Sequence, residues 1–416
     1  MKKKGHVGYD IHKNAQPEIA ESGGIVLVIG FTLVSIFLIL FFPEISYETL
    51  IFLLTVVIAG VIGFIDDLIK LKSRYKIILS IICGSPLFLA NILGFVTISS
   101  PTIPFLDKTR LTFIYPLMIP VIIAVFVNSI NMLEGYNGEG SGTCLIIVSF
   151  LFICGLLWNS AEAVFFTIPV IAILIPFFIF NKYPAKIFPG DVGTLSMGAM
   201  IACIMLFSSL EVATFCALLT QIINSFYVIN SVRGFFESSD IHEEKSDIIL
   251  LKDDRIQASD KRDAALTLPR LILAKGPLTE PELVKNIFAI SMSCGFFSIL
   301  SIFFLLVSTG NLEFIVFVIS IIIISIPTFY ILYRFPRIRG VIIQMIILLV
   351  SLIFFLYIIK IFIMPLPFDD ISIFIFEIPI NILLSFLLLA PGLVVWYILT
   401  IRYFWIVIEK MKKNKE

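Results

Sequence analysis

Long apolar stretches alternate with short polar ones along almost the whole chain. A helix that crosses a bilayer needs about 20 apolar residues, and about twelve stretches come close to that length. They cover residues 23–43, 48–65, 77–98, 113–130, 142–158, 162–181, 193–210, 212–232, 286–308, 312–333, 341–363 and 378–402. Where only a few polar residues intervene, as at Pro43-Glu44 and Trp158-Asn159-Ser160, we expect antiparallel hairpins. The pattern predicts an all-α, polytopic integral membrane protein.

Basic residues are distributed unevenly among the connecting segments. If the N-terminus is cytoplasmic, strict alternation places five basic segments on the inner side: 70–76, 182–186, 233–285, 334–339 and 410–415. The outer side then receives mostly acidic residues, with Lys108 and Arg110 as exceptions. Cytoplasmic loops of membrane proteins are enriched in Lys and Arg. We therefore predict a cytoplasmic N-terminus.

This topology divides the chain into five parts. They are a cytoplasmic segment 1–22, a transmembrane bundle 23–232, a cytoplasmic loop 233–285, a further span 286–308 and additional C-terminal helices in 309–416. Within the loop, the charged stretch 237–263 is predicted to be solvated and mobile. Thr279 followed by Pro281 has the chemistry of a helix N-terminus, with Thr279 as the N-cap.

Composition narrows the class of protein. Hydrophobic residues make up 59% of the 416 and charged residues 14%, which is typical of a membrane protein with many spans. The 30 basic and 30 acidic residues balance, so no global field favours binding of nucleic acid. The six cysteines stand singly in apolar stretches and are predicted to be small buried hydrophobes. No cleavable signal peptide is predicted, because a polar stretch follows the first basic residues.

Polar residues collect in four clusters on the predicted cytoplasmic face. The clusters are Gly8 to Gly24, Asp66 to Lys76, Asn128 to Gly142 and Phe180 to Thr194. Each also has a structural interpretation: a solvated tail, interfacial anchoring, helix packing or, for Asp191, N-capping. Taken together, they bring Asp66, Asp67, Asn131 and Asp191 to one face, with Lys76 nearby.

These side chains indicate a site for a cation and a phosphate. Oxygen ligands suit Mg²⁺, or alternatively Mn²⁺, with coordination completed by water and substrate phosphates. Asn128 and Asn131 are three residues apart and share a helix face. The glycines that follow would let a phosphate or a base approach the backbone closely.

The motifs occur in a characteristic order. They are Asp10-Ile-His-Lys13, Glu21-Ser-Gly-Gly24, Asp66-Asp67 with Lys76, Asn128-x-x-Asn131 with Asn137-Gly138, Phe180-Asn-x-x-Pro184-Ala with Phe188-x-Gly190-Asp191, and Pro269-Arg270 with Lys275-Gly276. This set, over residues 8–308, resembles the polyprenyl-phosphate N-acetylhexosamine-1-phosphate transferases, which include the bacterial phospho-MurNAc-pentapeptide translocase. The match is closest to the archaeal and eukaryotic branch, the UDP-GlcNAc:dolichyl-phosphate GlcNAc-1-phosphotransferases.

The resemblance implies a reaction and its participants. A polyprenyl or dolichyl phosphate attacks the β-phosphorus of UDP-GlcNAc, giving lipid-diphosphate-GlcNAc and UMP, the first step of lipid-linked glycan assembly. It further implies Mg²⁺ as cofactor, a cytoplasm-facing site in the plasma membrane of an archaeal cell, and a homodimer.

The resemblance also implies roles for individual residues. Asn131 and Asp191 would be the metal ligands, with Asp67 beside the metal. Asp66 would position the lipid phosphate; a base is hardly required, because the second pKa of a phosphate monoester is about 6. Lys76 would hold the diphosphate. Substrate contacts, including uracil contacts of the glycine loop, are implied for Glu21, Asn128, Gly135, Asn137, Gly138 and Arg270.

Three departures from the family pattern leave alternatives open. Ala265-Leu266-Thr267 replaces the Arg-His-Arg of the eukaryotic enzymes, and the bacterial histidine motif is absent, so another UDP-N-acetylhexosamine remains possible. Glu134 stands where the bacterial enzyme has an aspartate. The helix that precedes the Asp10 motif in the family is missing; span 378–402 is predicted to take its place, unless the start codon is misplaced.

An ion-coupled secondary transporter is the alternative from a different class, since intramembrane acids and amides can bind a coupling ion. The polar residues gather at one face instead of the midplane, and no repeat is visible, which disfavours a transporter.

Overall fold

The computed structural model describes residues 7–108, 111, 114–232, 246–362, 372–373 and 378–413. Its helices are α1 Ile25–Phe41, α2 Ser46–Ile69, α3 Ser73–Cys83, α4 Ser85–Ile92, α5 Ile114–Asn131, α6 Glu139–Trp158, α7 Ala161–Asn181, α8 Gly190–Ser208, α9 Glu211–Ala217, α10 Leu219–Val232, α11 Leu268–Leu273, α12 Glu280–Ser308, α13 Phe314–Arg334, α14 Arg339–Phe362 and α15 Ile380–Lys413. Short strands form antiparallel pairs: β1 Val7–Tyr9 with β2 Glu18–Ala20, β3 Thr102–Ile103 with β4 Asp107–Lys108, β5 Ile248–Leu250 with β6 Ile256–Ala258, and β7 Ser372–Ile373 with β8 Ile378–Pro379.

The helices confirm the predicted all-α, polytopic class. Within the described ranges, nine helices are long and apolar enough to cross a bilayer. Two pairs bent at a short break, α3 with α4 and α9 with α10, raise the number to as many as 11. Helix α1 has 17 residues and is slightly shorter than the usual span. The count of about twelve spans is therefore reached only if α1 and both broken pairs also cross.

The turn between α6 and α7 shows why a short polar segment is enough to reverse the chain. Asn159 ends α6 in the left-handed conformation, with φ 55°. Ser160 then caps α7, its Oγ accepting a hydrogen bond from the Ala163 amide at 3.2 Å. All six cysteines are buried and free, as predicted.

Helix α8 lies at the centre of the bundle, between α2 and α5. In its most apolar stretch 83% of the residues are buried, against 17% in α13. A Cβ atom on Gly63 of α2 would lie 2.4 Å from the Asp191 carbonyl oxygen, so only glycine allows this close approach. The approach brings the end of α2, which carries Asp66 and Asp67, to the beginning of α8.

The N-terminal segment is folded against the bundle. In the β1–β2 hairpin Gly8 lies opposite Ile19. The segment before α8 adds to the hairpin through Phe188, whose amide donates to the Ala20 carbonyl at 2.8 Å. At the hairpin turn, Asn14 Nδ2 donates to the Leu251 carbonyl at 2.9 Å. The segment thus joins the bundle to the loop between α10 and α12.

The described part of that loop corrects one prediction. Residues 233–245 lie outside the described residues, but 246–263 contain the β5–β6 hairpin, and Ile256 and Ala258 are buried. The strand β6 packs against α11, so the prediction of a solvated stretch is wrong there, whereas 252–255 and 261–263 are exposed. The predicted N-terminus at Thr279 is confirmed: the Glu282 carboxylate accepts from the Thr279 amide at 2.9 Å.

The C-terminal helix α15 packs against the family-like part of the chain. The rings of Tyr227 in α10 and Phe404 lie 5.1 Å apart, and the Tyr397 hydroxyl bonds to Asn230 Oδ1. Helix α15 is therefore not remote from the first eight predicted spans. That it occupies the position of the family's first helix stays a prediction.

Candidate functional site

A cavity of about 620 Å³ lies at the end of the bundle where α5 ends and α8 begins. Its wall comes from four parts of the chain: the N-terminal residues 9–12, the segment 131–137, the beginning of α8, and the loop at 246–250 with Thr267 and Pro269. Polar clusters that are far apart in sequence therefore share one cavity.

The structure decides between the two interpretations of Asp191. Asp191 is the second residue of α8, but it does not cap the helix. Instead, Asp67 Oδ1 accepts a hydrogen bond from the Asp191 amide at 2.7 Å. Because Asp67 satisfies this helix-terminal N–H, the carboxylate of Asp191 is available for other partners.

Those partners form the first of two clusters that reach the cavity, here through Asn131 and Asp191. Asn131 Nδ2 donates to Asp191 Oδ1 at 3.2 Å. Lys76 Nζ lies 2.7 Å from Asp66 Oδ2 and 3.3 Å from Asp191 Oδ2. We call this set, completed by Asp67, the α8 cluster. It holds three carboxylates and one ammonium, and the N-terminus of α8 provides further partial positive charge.

The second cluster surrounds Asn137. Asn137 donates from its backbone amide to Glu280 Oε1 at 2.7 Å, and from Nδ2 to Glu280 Oε2 at 3.2 Å and Asp10 Oδ2 at 3.0 Å. Lys13 forms ion pairs with Asp10 and, at 3.3 Å, with Glu280. We call these four residues the α12 cluster, because Glu280 is the first residue of α12.

Two titratable groups at this cluster depart from their ordinary behaviour. Burial lowers the pKa of His12 to about 4, although Asp10 opposes the shift, so the imidazole is neutral at physiological pH. The ring stacks on Tyr136 at 4.3 Å. Burial also disfavours the charged form of Lys13, but its bonds to Asp10 and Glu280 outweigh burial and raise the pKa of Lys13.

In the glycine-rich loop after α5, two glutamates of the loop accept hydrogen bonds from its backbone amides. Glu139 accepts hydrogen bonds from the amides of Gly135 and Tyr136 at 3.0 and 3.2 Å. Glu134 accepts from the Gly140 amide at 2.6 Å. Burial raises the pKa of Glu134 to about 8, although this bond opposes the shift. The expectation of loop amides open to a phosphate is therefore wrong for Gly135 and Tyr136.

Comparison with known proteins identifies the family. The profile of glycosyl transferase family 4 matches residues 49–209. A protein of Methanocaldococcus jannaschii named as a glycosyltransferase is 31% identical over 304 residues, 70% of this chain and 87% of the relative. The chain belongs to glycosyl transferase family 4. It is thus a multi-span membrane transferase.

Two further relatives of this family 4 transferase have more specific names. A Saccharolobus solfataricus protein, named as a UDP-N-acetylglucosamine–dolichyl-phosphate N-acetylglucosaminephosphotransferase, is 37% identical over 49% of this chain and 63% of its own length. The phospho-N-acetylmuramoyl-pentapeptide-transferase of Bacillus licheniformis is 29% identical over 50% of this chain and 65% of its own length.

The family 4 transferase brings together most of the predicted site residues. All five members of the α8 cluster meet at the beginning of α8, and Asn131, Asp191, Gly135 and Asn137 line the cavity. Glu21 lies beside Gly8 of the hairpin and close enough to Asp67 for their charges to repel, but it is outside the cavity wall.

Two residues predicted to contact substrate take part in helix packing, and their contact with substrate stays a prediction. Asn128 Nδ2 donates to Ser80 Oγ at 2.8 Å and to the Ala124 carbonyl at 2.7 Å, which joins α5 to α3. Gly138 has φ 78°, and a Cβ there would lie 2.8 Å from Lys182 Cα. It is a tight turn at the beginning of α6 and does not line the cavity.

Arg270 is likewise structural. The residue is completely buried, and its guanidinium donates at 2.6 to 3.1 Å to the backbone carbonyls of Ser259, Lys261, Ala264 and Ala265. These bonds hold the loop around α11 and engage all three guanidinium nitrogens; the contact of Arg270 with substrate stays a prediction. Its neighbour Pro269 reaches the cavity wall instead.

Sequence reasoning missed Glu280, Glu139 and Asp247. An acid at the first residue of a helix is ordinary helix-start chemistry, so nothing in the sequence separated Glu280 from Glu282. Asp247 lines the cavity and accepts a hydrogen bond from Thr267 Oγ1. Burial raises the pKa of Asp247, although the Thr267 bond opposes the shift.

Proposed function

We propose that this transferase moves N-acetylglucosamine-1-phosphate from UDP-GlcNAc to a polyprenyl or dolichyl phosphate. An oxygen of the lipid phosphate attacks the β-phosphorus of the nucleotide sugar, the bond to the bridging oxygen breaks, and UMP leaves. The observation that carries the proposal is that one cavity contains both Asp191 with Asn131 and the Asn137 loop. The names of the archaeal relatives support GlcNAc and dolichyl phosphate.

The residues at the beginning of α8 fit a divalent cation. Asp66, Asp67 and Asp191 offer only oxygen atoms. Among the described side chains, Lys76 forms ion pairs with Asp66 and Asp191, whereas Asp67 accepts from the Asp191 amide. Such an excess of negative charge needs compensation when it is partly buried. We propose Mg²⁺ held by Asn131 and Asp191, where it would neutralise charge on the transferring phosphoryl group.

The protein's own groups have distinct tasks in this proposal. Asp67 holds the first turn of α8 through the Asp191 amide, which orients Asp191. Lys76 bridges Asp66 and Asp191 and can turn to diphosphate oxygens when a substrate arrives. Asp66 Oδ1 accepts from the Leu71 amide at 2.7 Å, so its carboxylate is oriented for positioning the lipid phosphate. Phosphoryl transfer depends mainly on such positioning and on charge neutralisation.

The proposal includes the orientation and location of the enzyme. A cytoplasmic site in the plasma membrane of an archaeal cell agrees with the basic loops beside the cavity. Ala265-Leu266-Thr267 stands in place of the Arg-His-Arg that the resemblance implies, so the sugar is the part of the proposal that the sequence supports least.

The direct test is turnover by the purified full-length protein in detergent. Radiolabelled UDP-GlcNAc, Mg²⁺ and a polyprenyl phosphate should yield UMP and a labelled product that partitions into organic solvent. Chelation of the divalent cation should stop the reaction, and added Mg²⁺ should restore it. Formation of product from another UDP-N-acetylhexosamine alone would correct the sugar. No product from any of them would refute the proposed function.

A further inference from the structure

The carboxylate of Glu280 holds the side chain of Asn137 in one orientation. Glu280 is only 3% exposed, and it binds both the backbone amide and the Nδ2 of Asn137. From the other side, Asp10 Oδ2 accepts a second hydrogen bond from the same Nδ2. The NH₂ group of the carboxamide is therefore held between two carboxylates.

The reverse orientation of this carboxamide is disfavoured. Ionised carboxylates only accept hydrogen bonds, so a flipped amide would place its Oδ1 against the oxygens of Asp10 and Glu280. Lys13 forms ion pairs with both acids and places a positive charge beside them. The orientation of Asn137 is therefore a consequence of its neighbours' charge.

The remaining atom, Oδ1 of Asn137, is free to meet a ligand. Across the described ranges it accepts no hydrogen bond, and it is not among the polar atoms that are sealed from solvent without a partner. Asn137 lines the cavity next to Tyr136 and His12, whose stacked rings provide a flat surface. The cavity therefore presents a hydrogen-bond acceptor beside aromatic rings.

We infer that Glu280 is a positioning residue that makes the site select a base presenting a ring N–H. Uracil has such a donor at N3, whereas cytosine has an acceptor there and would oppose Oδ1. The inference rests on the proposed function, because it requires that the base of the nucleotide sugar binds at this end of the cavity. Glu280 acts only through Asn137 and touches no reacting atom.

The experiment compares the binding of UDP and CDP to purified protein, without lipid acceptor. The wild type should prefer UDP. In Glu280→Gln the new amide can donate to a flipped Asn137, so the UDP-to-CDP affinity ratio should fall about tenfold, the value of one net hydrogen bond. Turnover should show a raised KM for the UDP-sugar with kcat nearly unchanged.

Glu282→Gln is the matched control. It is the same substitution one half-turn away, where the carboxylate binds only Thr279. It should leave the affinity ratio unchanged, so general damage to the beginning of α12 is distinguished from loss of Asn137 orientation.

The outcomes separate the two proposals. A wild type that binds neither nucleotide and turns over no UDP-sugar refutes the proposed function. A wild type that prefers UDP, together with a Glu280→Gln variant of unchanged ratio, overturns only the inference about Glu280. If Glu280→Gln cannot be purified folded, Asp10→Asn is the second test, because its new amide can donate to a flipped Asn137. It should lower the same ratio, and an unchanged ratio there overturns the inference equally.

Discussion

The α8 cluster and the α12 cluster are built from the same kinds of residue but differ in how completely their charges are matched. The α8 cluster contains three carboxylates and one lysine, and Lys76 pairs with two of them. The α12 cluster contains two carboxylates, both paired with Lys13, and the Asn137 amide satisfies them further. The first therefore retains negative charge for a cation and a phosphate, and the second is a closed network. Two acids beside a lysine can therefore form either a reactive site or a structural network. Which of the two they form depends on whether negative charge is left without a partner.

The largest effect should follow from neutralising the α8 cluster. Asp191→Asn keeps the shape of the side chain but removes a charge, and we expect kcat to fall about 10³-fold while the protein stays folded. Asn131→Ala should act in the same direction. Glu211→Gln, an acid bonded to Tyr115 at 2.7 Å in another part of the bundle, is the control. Near-normal turnover of Asp191→Asn at low Mg²⁺ would contradict the metal assignment.

Removal of Lys76 should also affect turnover more than folding. Lys76→Met leaves Asp66 and Asp191 without their shared ammonium, so we expect about 10²-fold slower turnover. Higher Mg²⁺ should restore part of the loss, because the cation would compensate the same carboxylates. Turnover measured across a Mg²⁺ titration checks this, and a normal rate at low Mg²⁺ would contradict it.

The equivalent change in the α12 cluster should lower stability, besides weakening the orientation of Asn137. Lys13→Met leaves two buried carboxylates without their ammonium, and we expect the unfolding free energy to fall by about 3 kcal/mol. Thermal unfolding in detergent measures the change. Lys252→Met, at an exposed position in the β5–β6 turn, is the control and should cost less than about 0.5 kcal/mol. Equal stability of both variants would show that the network is not closed.

Arg270→Lys tests whether Arg270 holds the loop together or contacts the substrate. One ammonium cannot replace a guanidinium that binds four carbonyls, so the unfolding free energy should fall by about 2 kcal/mol. The KM for the UDP-sugar should change little in the folded fraction. A raised KM with unchanged stability would support the substrate role.

The last prediction concerns pH and His12. The unfolded state binds a proton at His12 below the ordinary pKa of 6.5, whereas burial keeps the folded pKa at about 4. The unfolding free energy should therefore fall as the pH decreases from 6.5 to 4, because unfolding takes up about one proton in this range. His12→Gln should flatten this part of the pH profile of thermal unfolding and change nothing at pH 7. An unchanged slope would contradict the burial of a neutral imidazole.

Most of the architecture was predictable because lipid imposes a simple rule on sequence. Every predicted span coincides with a helix or a broken helix pair, since an apolar stretch of bilayer length has no other stable form. The breaks within α3–α4 and α9–α10 were not predictable, because they depend on local packing. The buried hairpin at Ile256 was not predicted, because Ile256 and Ala258 are only two apolar residues in a stretch of mostly charged and polar ones.

The candidate site was predictable where ordered motifs carry it. Asp66, Asp67, Lys76, Asn131 and Asp191 were predicted together and lie together. Asn128, Gly138 and Arg270 belong to equally recognisable motifs, yet each is used by packing. A motif gives only the residue types and their spacing. The contacts in the folded chain show whether a polar side chain can still form a hydrogen bond with a ligand.

The sequence by itself determined the membrane class, the helices, and the set of oxygen-bearing side chains at one end of the bundle. Those features follow from the composition of each segment and the spacing of its apolar residues. Both can be recognised without knowing which other segments pack against it. The tertiary structure alone decided that Asp67 and not Asp191 caps α8, and that Glu280 orients Asn137 across 143 positions of chain. Long-range contacts of this kind depend on where helices pack, and no spacing along one chain segment encodes them.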